Sequence, residues 1–452
     1  MTTPIYDFVT RYLASNASRL HMPGHKGSGP LGCEARDITE IAGADALYAA
    51  AGIITESERN ASALFGTGAT FYAAEGSSQC VRAMLYLAMA NRADPEVRPV
   101  ALAARNAHKA FLYAAALCDF DVEWLYPDTA LDVCACPVSP EGLAKRLDSM
   151  SVRPFCVYVT SPDYLGGMQD IRGLSDVCHL RGIPLIVDNA HGAYLRFLPQ
   201  SLHPMDLGAD MCCDSAHKTL PVLTGGAYLH ISGNADPRFI EGARDALALF
   251  GSTSPSYLIL QSLDLCNARL AGDYPAAIME TAHRVSALKQ RLRARGFEIY
   301  GDESMKLALR GDGLAMAEDL RRGGVECEFA DREYVVLMFT PENGAEDYAR
   351  IERALRTPRP GSEVPGPALP ALPRGMSIRR AVFAPSEAVP VAAAVGRVCA
   401  APTVACPPAV PIAVSGEIIT PEAVRALQYY GIDRVRVCKV SCTCLTTPSN
   451  GV

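Results

Sequence analysis

The runs IPLIVDNAH (residues 183–191) and MCCDSAHK (residues 211–218) decide how this chain folds. Each opens on a short, unbroken apolar stretch and closes on a polar cluster. A strand buried on both faces shows no polar alternation, so such stretches fit a parallel sheet covered by helices. Working outward, the pattern recurs upstream as PVALAAR (99–105), a helical segment from His108 to Cys118, VEWLY (122–126), FCVYVTS (155–161) and a helical stretch around Ile171 to Arg181. Downstream it recurs as GAYLHIS (226–232). Alternating strands and helices predict a mostly parallel α/β sheet with ligands at the carboxyl ends of its strands. The residues that follow each run are therefore the ones to inspect for chemistry.

Past Ser256 the texture changes to long helical periodicity, through LILQSLDLCNARL (258–270) and TAHRVSALKQRLRARG (281–296). FEIY, MKLALR, a helix from Gly313 to Gly323, and VVLMF follow, which predicts a smaller α+β domain with an antiparallel sheet. Residues 357–374 hold six prolines and read as an extended connector. The expected organisation is an N-terminal segment and large domain over 1–265, a small domain over 266–356, the linker 357–374 and a terminal domain over 375–452.

At 452 residues the chain is long enough for several domains and a large core. A hydrophobic share of 49% and a charged share of 20% are ordinary for a globular protein. The net charge of −7 gives no basic surplus for nucleic acid or an anionic membrane, and mildly favours a cationic substrate. The opening MTTPIYDFVTRYLASNASRL lacks the pattern of a secretory signal, and no apolar run reaches the roughly 18 residues that suggest a membrane span. The 16 cysteines are scattered, which favours reduced thiols and a cytoplasmic location over a disulfide framework. Cys438, Cys442 and Cys444 lack the second half of a zinc pattern, so no metal site is expected.

Asp188 ends one apolar run, and Lys218 stands thirty positions later, beyond the next. A carboxylate and a lysine at neighbouring strand ends are what pyridoxal phosphate chemistry requires. The lysine amine carries the cofactor aldehyde as a Schiff base, and the carboxylate keeps the pyridine nitrogen protonated. Gly76, Ser77 and Ser78 precede a helical stretch, where backbone amides and two hydroxyls suit a phosphate, although Gly-Ser-Ser is also an ordinary helix cap. The His-Lys pair occurs at 25–26, 108–109 and 217–218. Only Lys218 follows Asp188 across one strand and precedes a Gly-rich turn, Gly225-Gly226. His25 and Lys26 read equally as entrance residues or as a turn.

Several ordered motifs then resemble one family, the pyridoxal-phosphate-dependent Orn/Lys/Arg decarboxylases in their shorter form. They are HMPGHKG (21–27), DITEIAGADAL (37–47), FYAAEGSS (71–78), ARNAHKAF (104–111), TSPDYLG (160–166), VDNAHGAYL (187–195), DSAHKTLPVLTGGAYLH (214–230) and STSPSYLILQSLD (252–264). The terminal segment is similar to that family's C-terminal domain through MSIRRAVFAPSEAVP, CPPAVPI and SGEIITPEA.

The resemblance implies a fold-type-I enzyme that decarboxylates arginine, lysine or ornithine, with arginine or lysine ahead of ornithine. It implies Lys218 as the Schiff-base lysine, Asp188 as the pyridinium partner, His108 stacked on one ring face and Ala190 on the other, and His191 beside the cofactor. Ser77, Ser78, Ser215 and His217 become phosphate ligands, and Thr253 reaches the phosphate of a neighbouring chain, which implies a homodimer. Candidates for pairing a distal cation are Asp45, Glu75, Asp163 and Glu417. The chain departs from the family pattern at Ala46 and Tyr48, at Ser78, at Asn189, and around Ala409 and Ser415. Aminotransferases and carbon–sulfur lyases share the same scaffold, and a cofactor-binding protein without turnover is the third alternative.

Overall fold

The computed structural model of the chain describes residues 1–127, 134–361, 367, 371–402 and 411–439. Its centre is a seven-stranded sheet of β1 (Ala69–Ala73), β2 (Val100–Ala104), β3 (Asp121–Leu125), β4 (Cys156–Thr160), β5 (Leu185–Asp188), β6 (Met211–Asp214) and β7 (Ala227–Ile231), in the order β1-β7-β6-β5-β4-β2-β3. Strands β3, β2, β4, β5 and β6 pair in parallel, while β7 runs antiparallel to β6 and to β1. Six of the seven strands coincide with the apolar runs of the sequence. The seventh, β1, runs into the start of the FYAAEGSS motif and was not legible as a strand.

Successive residues of the central strands enter different cores, which explains their lack of polar alternation. Cys156, Tyr158, Ile186, Met211 and Cys213 pack into one cluster with Phe111 and Met84. Val157, Val159, Leu185, Val187 and Cys212 pack into the other with Leu143 and Leu174. With both faces buried, Thr160, Asp188 and Asp214 stand where β4, β5 and β6 end. The register sets Thr160 opposite Asp188, and Asp188 opposite Cys213, whose successor is Asp214. Three polar residues therefore share one rim of the sheet.

A four-stranded antiparallel sheet is built from β8 (Glu298–Tyr300), β9 (Lys306–Arg310), β10 (Phe329–Ala330) and β11 (Tyr334–Met338), in the order β10-β11-β9-β8. FEIY, MKLALR and VVLMF supply three of these strands, and the two-residue β10 is too short to carry a periodic signal. The helix Tyr257–Leu270 runs across positions 265 and 266, and Tyr274–Ala294 follows it. A last pair, β12 (Ser386–Pro390) and β13 (Arg434–Cys438), is antiparallel. Among the described residues no helix is long and apolar enough to cross a membrane. Cys442, Cys444, the segment 406–410 and part of the proline-rich stretch lie outside the described residues.

Candidate active site

A cavity of about 410 Å³ opens at the carboxyl ends of β4, β5 and β6, and Asp188, Lys218 and His108 all line it. Asp188 is 4% exposed. Its Oδ2 accepts a hydrogen bond from the Tyr158 hydroxyl at 2.9 Å, and its Oδ1 accepts from the Ala190 amide at 3.2 Å. Burial, with Asp188 adding to it, pushes the Tyr158 phenol well above its ordinary value, so Tyr158 stays a donor. The Cys213 thiol adds a weak donor to Oδ1 at 3.7 Å, and neutral donors of this kind offset only part of the cost of burying a carboxylate, which leaves Asp188 suited to a cation on the cavity side.

Lys218 sits in the short helix Ala216–Thr219 that follows β6. Its Nζ lies 3.0 Å from His191 Nε2. Burial lowers the lysine from its ordinary value, and Asp188 opposes that shift. His108 caps the helix Lys109–Cys118, and its Nδ1 accepts from the Ala110 amide at 3.1 Å. The imidazole proton is thereby assigned to Nε2. Burial lowers His108 from its ordinary value, although Asp188 opposes this, which favours a neutral ring facing the cavity.

The opposite wall is the start of the helix Ser77–Ala90, capped by Gly76 at φ 73°. A Cβ at Gly76 would meet nothing within 4 Å, so glycine is needed there for its backbone angle rather than for room. The Gly76 amide donates to the Gly225 carbonyl at 2.7 Å, which ties this turn to the Gly-rich turn after Lys218. Ser215 Oγ donates to Ser77 Oγ at 2.7 Å, and Ser78 also faces the cavity. His217 lines the same wall, with Nδ1 donating to the Gly226 carbonyl at 3.0 Å.

Of the residues singled out in the sequence, Ser77, Ser78, His108, Asp188, Ala190, His191, Ser215, His217 and Lys218 all line this one cavity. Thr253 does not line it within a single chain; it is exposed in the loop between Pro237–Phe250 and Tyr257–Leu270. The neighbouring Ser252 amide nevertheless donates to the Glu75 carboxylate at the cavity edge. Lys26, at φ 54°, donates to the His21 carbonyl at 2.6 Å, and His25 lies 3.2 Å from Asp37, so this segment is bonded within itself.

The four candidate acids separate clearly. Asp45 accepts from the Gly52 and Ile54 amides, Asp163 from those of Leu165 and Gly167, and Glu417 from Val414 beside Arg105. Glu75 alone of the four lines the cavity. Sequence reasoning missed Glu328, whose carboxylate accepts from the Tyr164 hydroxyl at 2.6 Å, Tyr164 itself being part of the lining. It also missed Thr160 and Asn106. Both line the cavity, and Thr160 Oγ1 and Asn106 Oδ1 are buried without a hydrogen-bond partner among the described residues.

Behind the cavity wall His203, Asp214 and His230 are fully buried and close enough together to hold a metal ion. Their mutual bonds account for the grouping. Asp214 Oδ2 accepts from both imidazoles at 3.0 and 3.1 Å, and Oδ1 accepts from Asn189 Nδ2 at 2.6 Å. The network anchors the residue next to Asp188.

A sequence profile of the Orn/Lys/Arg decarboxylase major domain matches residues 3–310. An arginine decarboxylase of Bacillus subtilis is 27% identical over 459 residues, covering 93% of this chain and 92% of the relative. The structure is similar to the constitutive lysine decarboxylase of E. coli, with a TM-score of 0.76 at 18% identity, covering 97% of this chain and 82% of the other. A lysine decarboxylase of Francisella novicida gives 0.78 at 16% identity, with 97% and 81% covered.

Proposed function

Because this chain belongs to the Orn/Lys/Arg decarboxylase family and is a decarboxylase of basic amino acids, we propose that it works with pyridoxal 5'-phosphate carried on Lys218 and that its substrate is arginine. The observation that supports this best is the convergence of Asp188, Lys218 and the open helix start at Ser77 on one cavity. These residues fit that cofactor chemically. Asp188 is a buried carboxylate with room for a cationic ring nitrogen, and the Gly76 turn with Ser77, Ser78 and Ser215 offers donors to a phosphate. Thr160 Oγ1 and Asn106 Oδ1 are buried polar atoms still wanting a partner.

When bound, the cofactor supplies an aldehyde for amines and a protonated ring that draws in the electron pair left when carbon dioxide departs. The chain does the rest. Asp188 holds the proton on the ring nitrogen, and Tyr158 with the Ala190 amide fixes the orientation of its carboxylate. Lys218 provides an amine whose burial favours the neutral, nucleophilic form. His108, held neutral by burial and oriented by its cap, would cover the cofactor ring from one side, and the small Ala190 would leave it room on the other. The hydroxyls of Ser77, Ser78 and Ser215 and the helix start receive the phosphate, a contact worth about 0.3–2 kcal/mol from the helix dipole alone. His191 and Tyr164 close the side toward the small sheet and keep water from the reacting carbon.

Arginine is chosen over lysine because the curated relative from Bacillus subtilis is an arginine decarboxylase matching over nearly the whole chain. Glu75 lines the cavity and Glu328 accepts from the lining Tyr164, and a carboxylate so placed can accept two hydrogen bonds from a planar guanidinium. The protein is proposed to be a homodimer with Thr253 directed at the partner's cofactor, and to reside in the cytoplasm, in keeping with its free described cysteines. Sedimentation as a 48.3 kDa species at working concentration would contradict the dimer.

The cofactor assignment is tested by loading the protein with pyridoxal phosphate, reducing it with borohydride and mapping the pyridoxyl group by mass spectrometry. The label is expected on Lys218. A label on Lys26, Lys109 or Lys306 would refute the assignment.

A further inference from the structure

Lys306, the first residue of β9, is 2% exposed although it carries an ammonium group. Its Nζ donates to the Asp163 carbonyl at 3.0 Å and lies 3.4 Å from His191 Nδ1. The other ring nitrogen of His191, Nε2, lies 3.0 Å from Lys218 Nζ. A buried imidazole thus bridges two lysines, one from the small sheet and one in the cavity. The Tyr164 ring packs edge-on against the imidazole at 5.1 Å and restricts its rotation.

Proton counting fixes what this row can be. A neutral imidazole has one N–H and one lone pair, so both contacts are hydrogen bonds only if one lysine donates and the other accepts. An ammonium has no lone pair, so the accepting lysine must be the free amine. Two ammonium groups would set an N–H against an N–H at one end. An imidazolium between two amines is ruled out by basicity, since lysine exceeds histidine by about four pH units. The surroundings then choose the donor. Lys306 faces the Asp163 carbonyl together with the carboxylates of Glu303, Asp163 and Glu328. Lys218 faces Asp188, Glu328 and the Cys213 thiol, and His191 also faces His108 and His217.

We propose that Lys306 is a positioning residue that donates to Nδ1 of His191, fixes its proton on Nε2, and through that N–H holds Lys218 as the neutral amine whenever the amine is free. The inference rests on the reading of Lys218 as the cofactor-bearing lysine. It gives a lysine buried on the small sheet, which also bonds the Asp163 carbonyl and lies over the Tyr164 ring, a part in the site. It also gives His191 a role distinct from covering the cavity.

The test uses full-length, cofactor-free protein, trace-labelled with acetic anhydride from pH 6 to 11, with Lys218 modification read by mass spectrometry. Wild type is expected to reach half-maximal reactivity below the ordinary lysine value of about 10.4. In Lys306→Met the imidazole proton can shift to Nδ1, which leaves the Nε2 lone pair facing the Lys218 ammonium. The midpoint should rise by about one pH unit, a tenfold loss of Lys218 labelling near neutrality. Lys306→Arg, which restores a cationic donor, should return most of the wild-type profile. An unchanged or lowered midpoint in folded Lys306→Met overturns the proposal. Should that variant fail to fold, nitrogen-15 histidine spectra of the wild-type cofactor-free protein decide instead: the proton of His191 on Nε2 supports the proposal, and on Nδ1 overturns it. Borohydride mapping to another lysine would refute the cofactor assignment without moving the labelling midpoints, so the two failures are distinguishable.

Discussion

Asp188 is buried, its carboxylate held by the Tyr158 hydroxyl, the Ala190 amide and the Cys213 thiol. Asp188→Asn keeps the shape and removes the charge. The variant is expected to bind pyridoxal phosphate still but to lose on the order of 10²–10³-fold in kcat, the usual cost of deleting one preorganised charge partner. Steady-state amine formation alongside cofactor absorbance checks this, and near-normal kcat would mean that another group protonates the ring. Asp188 and Lys218 were legible in the sequence because each closes or follows an apolar run, and strand ends are where a doubly covered sheet admits polarity. Glu328 and Lys306 were not legible. Their relation to the cavity depends on how the small sheet folds against the large one, and neither GVECEFA nor MKLALR carries a local mark of it. Thr160 lay at the end of a correctly read strand, but nothing in its neighbours shows that its hydroxyl lacks a partner.

At the scale of elements, the rim formed by β4, β5 and β6 is kept in place by Asp214 as much as by the strands. Its carboxylate satisfies His203, His230 and Asn189 together, all buried. Asp214→Ala leaves three buried donors unpaired and is expected to cost about 3–5 kcal/mol of stability. Asp214→Asn keeps one acceptor and should cost about 1–3 kcal/mol. Urea unfolding followed by circular dichroism should rank the midpoints as wild type, Asn, then Ala. Equal midpoints would mean that the network is not a structural anchor. The sequence shows Asp214 only as the polar end of MCCD, because its partners come from a loop and from the middle of β7, far from the pattern that defines the strand. Most strands were readable for the opposite reason: continuous burial on two faces leaves a continuous apolar run. The exceptions are β1, where the buried Thr70 breaks the apolar run, and β10, whose two residues are too few for periodicity to register.

At the scale of the molecule, the cavity lies at the rim of the large sheet, and the loop at 251–256 and the small antiparallel sheet reach its lining through Ser252 on Glu75 and Lys306 on His191. The surplus of seven negative charges suits a cationic substrate. Leu20, Met22 and Leu31 are strongly exposed, at 94%, 68% and 82%, and the proposed homodimer would offer such apolar residues cover. The most direct measurement of the central claim is product analysis of the purified protein with pyridoxal phosphate and carboxyl-labelled arginine, lysine or ornithine in separate reactions. Arginine should release labelled carbon dioxide and agmatine in equal amounts, faster than lysine or ornithine yields its amine, and Lys218→Ala should abolish release. A keto acid with the carboxyl label retained, or binding without any carbon dioxide, would contradict the account.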